Sequence, residues 1–378
     1  MADDFSGAAE MAGIAYTYGL KTRLITQFDP QAPEDVLIIN TNTRSLSEKK
    51  AREKISNLVK SLPADASGYL LFKKIDSVLR GHILPEIEVI QNRFQFKRIF
   101  VLPANPSKGR RIVGGEYFVN DLPLHQTAFA EDPYFPVQSS SVFEIITAAS
   151  VKMSYRHLAI GDKIPSNGIL SGDVAKMEDF NFYLQQITHR DLLCGAADSF
   201  SLFLAKIFQA VNKSKKPVSN KEYQVVFNGS SIKNATEKRN FSASNFVQVT
   251  CPAYSNDQDS DPVEWFSEIL NLLEQKKKVA VEIPHPVVQS RTASDFYLKI
   301  FATLAVYITK NIARQSIHFW LTGGETAVAI MEGLSASQLE LIAQMSPGSV
   351  TFETIDNRKM HLTVKPGSYA WPDFLYNQ

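Results

Sequence analysis

The chain has 378 residues, 44% hydrophobic and 21% charged, with a formal net charge of +1. At about 100–200 residues per domain this length suits two domains, and the composition suits packed cores rather than disorder. A near-neutral balance gives no electrostatic footprint for nucleic acid or an anionic membrane, and no run of about 18 apolar residues could span a bilayer. Cys194 and Cys251 form no CxxC pair, so no zinc or redox site is expected. The acidic start Met1-Ala2-Asp3-Asp4 lacks a signal-peptide core, so the expected location is the cytoplasm and the sequons at Asn228 and Asn234 are expected to stay bare.

The first segment in chain order is Ala2-Asp3-Asp4-Phe5-Ser6-Gly7-Ala8-Ala9-Glu10. Paired aspartates ahead of a small Ser-Gly and a helix-forming run suit hydroxyl binding, general-base work or Mg2+. A plain helix N-cap at Asp4 or Ser6 explains the same residue types. Residues 36–39 read as a strand, 47–62 as a helix capped by Ser47 with Ile55, Leu58, Val59 and Leu62 at helical spacing, and 69–72 as a second strand. Strand, helix, strand at this spacing implies βαβ units and a mostly parallel sheet.

Lys73-Lys74-Ile75-Asp76-Ser77-Val78-Leu79-Arg80-Gly81-His82 follows directly, crowding charge onto a strand end. A guanidinium there holds a carboxylate bidentately, and Asp76 and Ser77 suit sugar hydroxyls. A solvated turn with a surface ion pair is the competing reading. After a strand at 99–102, residues 103–115 form a positive loop with two prolines, Lys108, Arg110 and Arg111, either gripping an acid sugar or phosphate or merely exposed. An amphipathic helix over 198–211 ends in a polar stretch with Pro217, which makes 211–222 the expected linker between domains 1–210 and 223–378.

The α/β rhythm then restarts, with strands expected at 223–227, 279–283, 318–321 and 360–364 and a long buried helix at 292–312. Three small-residue turns follow strands: Asn228-Gly229-Ser230-Ser231, Thr322-Gly323-Gly324-Glu325-Thr326 and Lys365-Pro366-Gly367-Ser368. Strand, Gly-Gly, helix is a phosphate-cradle layout, because glycine lets the backbone approach and free N–H groups at a helix start face the anion. It is neither a Walker A loop nor a GxGxxG fingerprint, and each turn alone reads equally as an ordinary turn. Strand ends of one parallel sheet share an edge, so the three together suit one nucleotide pocket. HExxH, GxSxG and the protein-kinase HRD and DFG motifs are missing, and the seven histidines show no metal-ligand spacing.

These residues resemble the four-carbon acid sugar kinases, over nearly the whole chain. The carriers are ADDFSGA (2–8), KKIDSVLRG (73–81), the loop 109–133, NGSS (228–231), LTGGETA (321–327), SPG (346–348) and KPGSY (365–369). The resemblance implies two α/β domains with mostly parallel sheets and a ligand cleft between them, an N-terminal domain that binds the sugar acid and a C-terminal domain that binds the nucleotide. It places Asp3, Asp4, Lys74, Asp76, Ser77 and Arg80 around the substrate, with Arg110 added from the basic loop. Ser230, Gly323, Gly324, Glu325, Thr326 and Gly367 fall around ATP. The Ile75-Asp76-Ser77…Arg80-Gly81 pattern is similar to the threonate and erythronate branch. Position 78 is Val where the family commonly has Thr, and only Met1 and Ala2 stand where the family has a full first strand.

The expected activity is therefore ATP- and Mg2+-dependent phosphorylation of a four-carbon acid sugar. Asp4, Asp76 and Arg80 are the expected catalytic residues, with the substrate carboxylate on Arg80 and on Lys74 or Arg110. Metal ligands are not assigned. The expected partners are small molecules, with no nucleic acid, no membrane, and homo-oligomerisation left open. The alternative is a non-catalytic sugar- or nucleotide-binding homologue, because a shortened first strand would leave Asp3 and Asp4 loosely anchored. A sugar-acid dehydrogenase is disfavoured by the absence of a dinucleotide fingerprint.

Overall fold

The computed structural model describes residues 1–378 apart from 27, 29–33, 64–68, 133–134, 148–152, 209–217, 220, 230–244, 255–261, 286–289, 356–358, 368–370 and 372–378. It divides into two compact units. The first comprises Met1–Gly19, Thr26–Pro33 and Ile38–Asn212, and the second Leu20–Ile25, Glu34–Leu37 and Lys213–Gln378. Most of the expected linker lies outside the described residues. The second unit also draws two short segments from the first half of the chain, which no composition shift announces.

The first half runs α1 (Phe5–Thr17), β1 (Thr22–Ile25), β2 (Val36–Ile39), α2 (Glu48–Ser61), β3 (Phe72–Lys74), α3 (Ile83–Phe94) and β4 (Arg98–Leu102). Next come β5 (Arg110–Val113), β6 (Glu116–Val119), β7 (Leu122–Pro123), α4 (Val142–Thr147), β8 (Tyr155–Leu158), β9 (Gly168–Gly172), α5 (Phe180–Leu184), β10 (Asp191–Gly195) and α6 (Ala197–Ile207). The second half runs β11 (Tyr223–Asn228), β12 (Val247–Thr250), α7 (Val263–Lys276), β13 (Lys278–Glu282), α8 (Arg291–Asn311), β14 (Ile317–Thr322), α9 (Gly324–Gly333), β15 (Gln338–Ser346), β16 (Ser349–Thr354) and β17 (His361–Lys365).

In the first unit, five strands run parallel in the order β3-β10-β4-β9-β8. β9 and β10 are buried at every residue, as parallel strands covered on both faces must be. The expected strand at 69–72 starts later, because Tyr69 and Leu70 are exposed outside the sheet. Beside β3, Ala2 bridges both Lys74 and Asn40 in parallel. Its N–H donates to Ile39 O at 2.9 Å, Thr41 N–H donates to its carbonyl at 2.8 Å, and Lys74 N–H donates to Met1 O at 2.8 Å. The expectation that Asp3 and Asp4 are loosely anchored is thus corrected. One residue of strand, hydrogen-bonded on both sides, fixes the backbone that carries them.

The basic loop is likewise more ordered than expected. Residues 110–123 form the antiparallel sheet β5-β6-β7. Gly114-Gly115 (φ 58° and 79°) and Asn120-Asp121 (φ 48° and 68°) make its two tight turns, and two successive positive φ values match the twist of a two-residue hairpin.

In the second unit the sheet order is β12-β13-β11-β14-β17-β16-β15-β1-β2. The first five strands are parallel, while β16, β15 and β1 pair antiparallel. Val36 and Leu37 of β2 belong to this unit, and Ile38 and Ile39 to the first. Phe227 of β11 meets Phe301 of α8 and Phe319 of β14 edge-on, both at 5.4 Å, so α8 seals one face of the parallel part. Ser346-Pro347-Gly348 closes the β15–β16 hairpin, with Gly348 at φ 80°. Among the described residues no helix is long and apolar enough to cross a membrane.

Candidate functional site

In the first unit the charged segments leave the carboxyl ends of adjacent parallel strands, where ligands bind in open α/β sheets. Asp3 and Asp4 follow the Ala2 bridge, Asp76, Ser77 and Arg80 follow β3, and Arg110 opens β5. Asp4 is the N-cap of α1, its Oδ1 accepting from Gly7 N–H at 2.9 Å. A Cβ on Gly7 would stand 2.6 Å from that Oδ1 and 3.2 Å from Lys74 Nζ, so only glycine lets the helix start so close. The capping reading and the functional reading of Asp4 therefore coexist.

The residue that ties this cluster together escaped the sequence reading. Arg44 donates from Nε and Nη2 to both Asp3 oxygens, at 2.8 and 2.9 Å, and from Nη1 to Asp4 Oδ2 at 2.9 Å. Its Nη1 also lies 3.6 Å from Asp76 Oδ1. Arg80 donates from Nε and Nη2 to the two Asp76 oxygens, at 2.8 and 3.0 Å, and from Nη1 to Asp132 Oδ2 at 2.8 Å. Arg110 Nη1 donates to Ser77 Oγ, and Tyr117 OH donates to the Ser77 carbonyl. Lys74, 4% exposed, donates to Ile75 O at 2.9 Å and lies 3.9 Å from Glu10 Oε2. Glu10 Oε1 takes Lys108 Nζ at 2.6 Å. Arg44, Glu10 and Asp132 stand on three separate segments, and no spacing rule links them to the motifs they contact.

The carboxyls differ in charge state. Burial pushes Asp3 upward, but the Arg44 guanidinium, with the Lys73 ammonium, outweighs it and holds Asp3 below the usual carboxylate range. Burial also raises Asp76, and Arg44 and Arg80 together hold it well below that range. For Asp4, burial wins: with the Asp3 charge beside it, it lifts the carboxyl above its ordinary value despite Arg44 and Lys74. Asp4 is also the more exposed of the paired aspartates, its side chain 25% accessible against 6% for Asp3. A partly accessible carboxylate with a raised pKa suits proton abstraction, while Asp3 and Asp76 remain fixed anions.

A Ser-His-Asp constellation lies elsewhere in this unit. His157 Nε2 is 2.8 Å from Asp173 Oδ1, and its Nδ1 is 2.7 Å from Ser171 Oγ. Ser171 is only 1% exposed and its hydroxyl is also engaged by Tyr155. Asp173 in turn accepts from Gly115 N–H at 2.9 Å. The arrangement pins the hairpin sheet to the edge of the parallel sheet rather than presenting a nucleophile.

In the second unit β11, β14 and β17 are adjacent and in register at Asn228, Thr322 and Lys365. Gly229, Gly323, Gly324 and Gly367 therefore leave one sheet edge, as expected, while Ser230 lies outside the described residues. Gly323 has φ 97° and ψ 142°, and its N–H donates to Lys365 O at 2.9 Å. A Cβ on Gly229 would fall 2.4 Å from Thr326 Oγ1. The first helical N–H groups of α9, from Gly324 onward, have no side-chain cap, because Gly323 offers none. Thr322 Oγ1, directly before them, is buried with no hydrogen-bond partner among the described residues. Uncapped amides at a helix start fit a phosphate anion. Glu325, in the first turn, is pushed up by burial and by the Asp295 charge. Among the described residues no group of three or more His, Cys, Asp or Glu side chains is placed to hold a metal ion.

Comparison with known proteins agrees with this division. Residues 1–179 match a sugar-binding N-terminal domain family and residues 239–375 a nucleotide-binding C-terminal domain family. The chain is 25% identical to a D-threonate kinase of Salmonella typhimurium, over 92% of this chain and 88% of the relative. It is 33% identical to a D-erythronate kinase of Heliobacterium modesticaldum, over 47% of this chain and 40% of the relative. A 3-oxo-tetronate kinase of Cupriavidus necator is 22% identical over 99% of this chain and 94% of its own length. A crystal structure of a DUF1537 protein from Haemophilus influenzae superposes with a TM-score of 0.76 at 18% identity, covering 99% of this chain and 98% of that one, and so shares the fold. With both domain families matched in order, and kinases of this kind aligned end to end, the chain belongs to the four-carbon acid sugar kinase family.

Proposed function

We propose that this chain is an ATP-dependent kinase of a four-carbon acid sugar, of the threonate or erythronate type, acting in the cytoplasm. The observation that carries the reading is its division of chemistry. Carboxylates and guanidiniums gather at the strand ends of one unit, and a row of glycine turns with uncapped amides lies at the strand ends of the other. Asp3, Asp4, Lys74, Asp76, Ser77, Arg80 and Arg110 form the sugar-acid site. Gly323, Gly324, Glu325, Thr326 and Gly367 form the nucleotide site, with Ser230 as a further candidate.

Phosphoryl transfer passes through a loose transition state, so positioning and charge neutralisation dominate over base strength. ATP would supply the phosphoryl group, and Mg2+ would supply charge neutralisation, arriving with the nucleotide because no described cluster of side chains is placed to hold the metal alone. The uncapped amides of α9 hold the phosphate end of the nucleotide. Arg44 holds Asp3 and Asp4 in fixed orientations, Asp76 bonds a sugar hydroxyl, and Asp4 takes the proton of the attacking hydroxyl at its Oδ2.

The test is a coupled ADP-release assay over the stereoisomers of threonate, erythronate and their oxo derivatives. ADP formation with at least one acid, far above the rate without acid, is expected. Calorimetric binding of acid and ATP with no ADP release would instead favour a non-catalytic binding protein.

A further inference from the structure

Around the first unit's strand ends, nearly every cation faces a carboxylate. Arg44 pairs with Asp3 and Asp4, Arg80 with Asp76 and Asp132, Lys73 with Glu86, and Lys108 with Glu10. Lys74 sits 3.9 Å from Glu10. Arg110 is the exception. Its side chain takes part in no ion pair among the described residues, and it donates only to the neutral Ser77 hydroxyl. With Nη1 given to Ser77, the Nε–Nη2 edge of the fork is left, and such an edge takes a carboxylate through two parallel hydrogen bonds.

The surroundings hold that fork still. Arg110 follows Gly109 in the left-handed region at φ 66°. Its N–H donates to Asn105 O at 3.1 Å, and its carbonyl accepts from Asn105 N–H at 2.8 Å. The guanidinium lies over the Phe129 ring, 5.5 Å from its centroid, where the ring quadrupole favours a cation and orients its plane. Arg80 lies 5.3 Å from the same centroid. Its whole fork is engaged, however, by Asp76 and Asp132.

We propose that Arg110, stacked on Phe129, recognises the carboxylate of the acid sugar, while Arg80 positions Asp76 and Asp132 without touching the ligand. The proposal rests on the kinase reading above and assigns within it the group that separates acid sugars from neutral polyols. A half-buried guanidinium that feels Glu10 only at a distance, with no carboxylate at ion-pair distance among the described residues, draws an anion. Threitol or erythritol, having none, gains nothing from that edge. Tyr117, buried behind Ser77 and bonded to its carbonyl, keeps the Arg110–Ser77 pair in place.

The experiment uses the full chain, with calorimetry against threonate, erythronate and ATP, and ADP release with each acid and with threitol and erythritol. Arg110→Ala is expected to weaken acid binding about 100-fold or more, as removal of one partner of a hydrogen-bonded charge pair does. Its ATP affinity is expected to stay at the wild-type level, which reports an intact fold, and its preference for acid over polyol is expected to collapse. Arg110→Lys keeps the charge without the fork and should fall between. Phe129→Leu is expected to weaken acid binding about 3- to 30-fold through loss of the cation–π platform. Acid affinity within about threefold of wild type in Arg110→Ala, or in both Arg110→Lys and Phe129→Leu should the alanine variant not fold, overturns the proposal. A wild-type chain that binds the acids but releases no ADP fails the kinase reading instead, and leaves the Arg110 comparison decided by affinity alone.

Discussion

Asp3 and Asp4 are adjacent in sequence and opposite in surroundings. Asp3 has both oxygens on Arg44, whereas Asp4 gives one oxygen to Arg44 and one to the start of α1 and keeps an accessible edge. Burial raises the Asp4 carboxyl, so its proton leaves at a higher pH than an ordinary aspartate's. As a base, Asp4 must be ionised, so kcat should climb as pH rises through that elevated value and level off above it. Asp4→Asn should remove the acid limb and lower kcat by about 10²–10⁴, the usual worth of a positioned base, with ATP affinity unchanged. A pH–rate series on the two chains checks this, and an unaltered acid limb in the variant would assign the base elsewhere. The sequence made the residue types legible here, because acidic pairs before a Ser-Gly helix start carry their own chemical logic. It did not make Arg44 legible: a lone arginine after a strand is brought beside Asp3 by the parallel bridge at Ala2 and Asn40, a pairing no local spacing announces.

The glycine turns were legible as elements because strand, Gly-Gly, helix is a local pattern, and apolar runs located the three strands before them to within a residue, whereas strands such as β1, β15 and β16 went unread. The β14–α9 turn holds Gly323 at φ 97° and ψ 142°, a conformation side chains rarely adopt. Gly323→Ala should cost about 1–3 kcal/mol of backbone strain and swing the first amides of α9 away from a phosphate. ATP affinity measured by calorimetry should fall, with sugar-acid affinity retained. Equal ATP binding would remove this turn from the nucleotide site. The hairpin sheet at 110–123 was read as a loop because its strands are short and charged. Its signal lay in the Gly114-Gly115 and Asn120-Asp121 pairs, whose two-residue spacing fixes register without any apolar alternation. The 69–72 strand was set too early because Tyr69 and Leu70 look apolar in sequence and stand exposed in the structure.

At the scale of the molecule, acid should be the solvent condition that undoes the fold. His318 and His361, buried in the second unit's sheet, are held below their ordinary pKa, His361 at about 4, by burial first, then for His318 by the His361 charge and for both by the Lys221 charge. The unfolded chain binds protons on both rings below about pH 6.5 while the folded chain does not, so stability falls as pH drops from there toward 4. For His361 alone the loss is on the order of 3 kcal/mol by the lower end of that window. Asp3 and Asp76, ionised and paired, add a further loss below about pH 4, where the unfolded carboxylates take up protons first. Melting temperatures from pH 7.5 to 4.5 should decline steadily, and His361→Gln should flatten the slope. A flat profile in the wild-type chain would show these rings to be solvated.

The loan of β1 to the second unit has a consequence for how the protein can be divided. The chain passes into that unit at Leu20, leaves, re-enters for Glu34–Leu37 and returns only at Lys213, so neither unit is one uninterrupted stretch. A fragment beginning at Lys213 would carry β15 but not its partner, baring the Gln338–Glu340 rim that pairs with Arg23–Ile25. A naked strand rim is a template for self-association. Such a fragment should precipitate or form oligomers on a sizing column, and co-expressing a peptide spanning residues 20–37 should restore a monomer. Gene fusions that exchange one half of this protein for a relative's therefore meet four seams in the first forty residues, or two where residues 20–37 travel as one piece, as well as the obvious one in the middle.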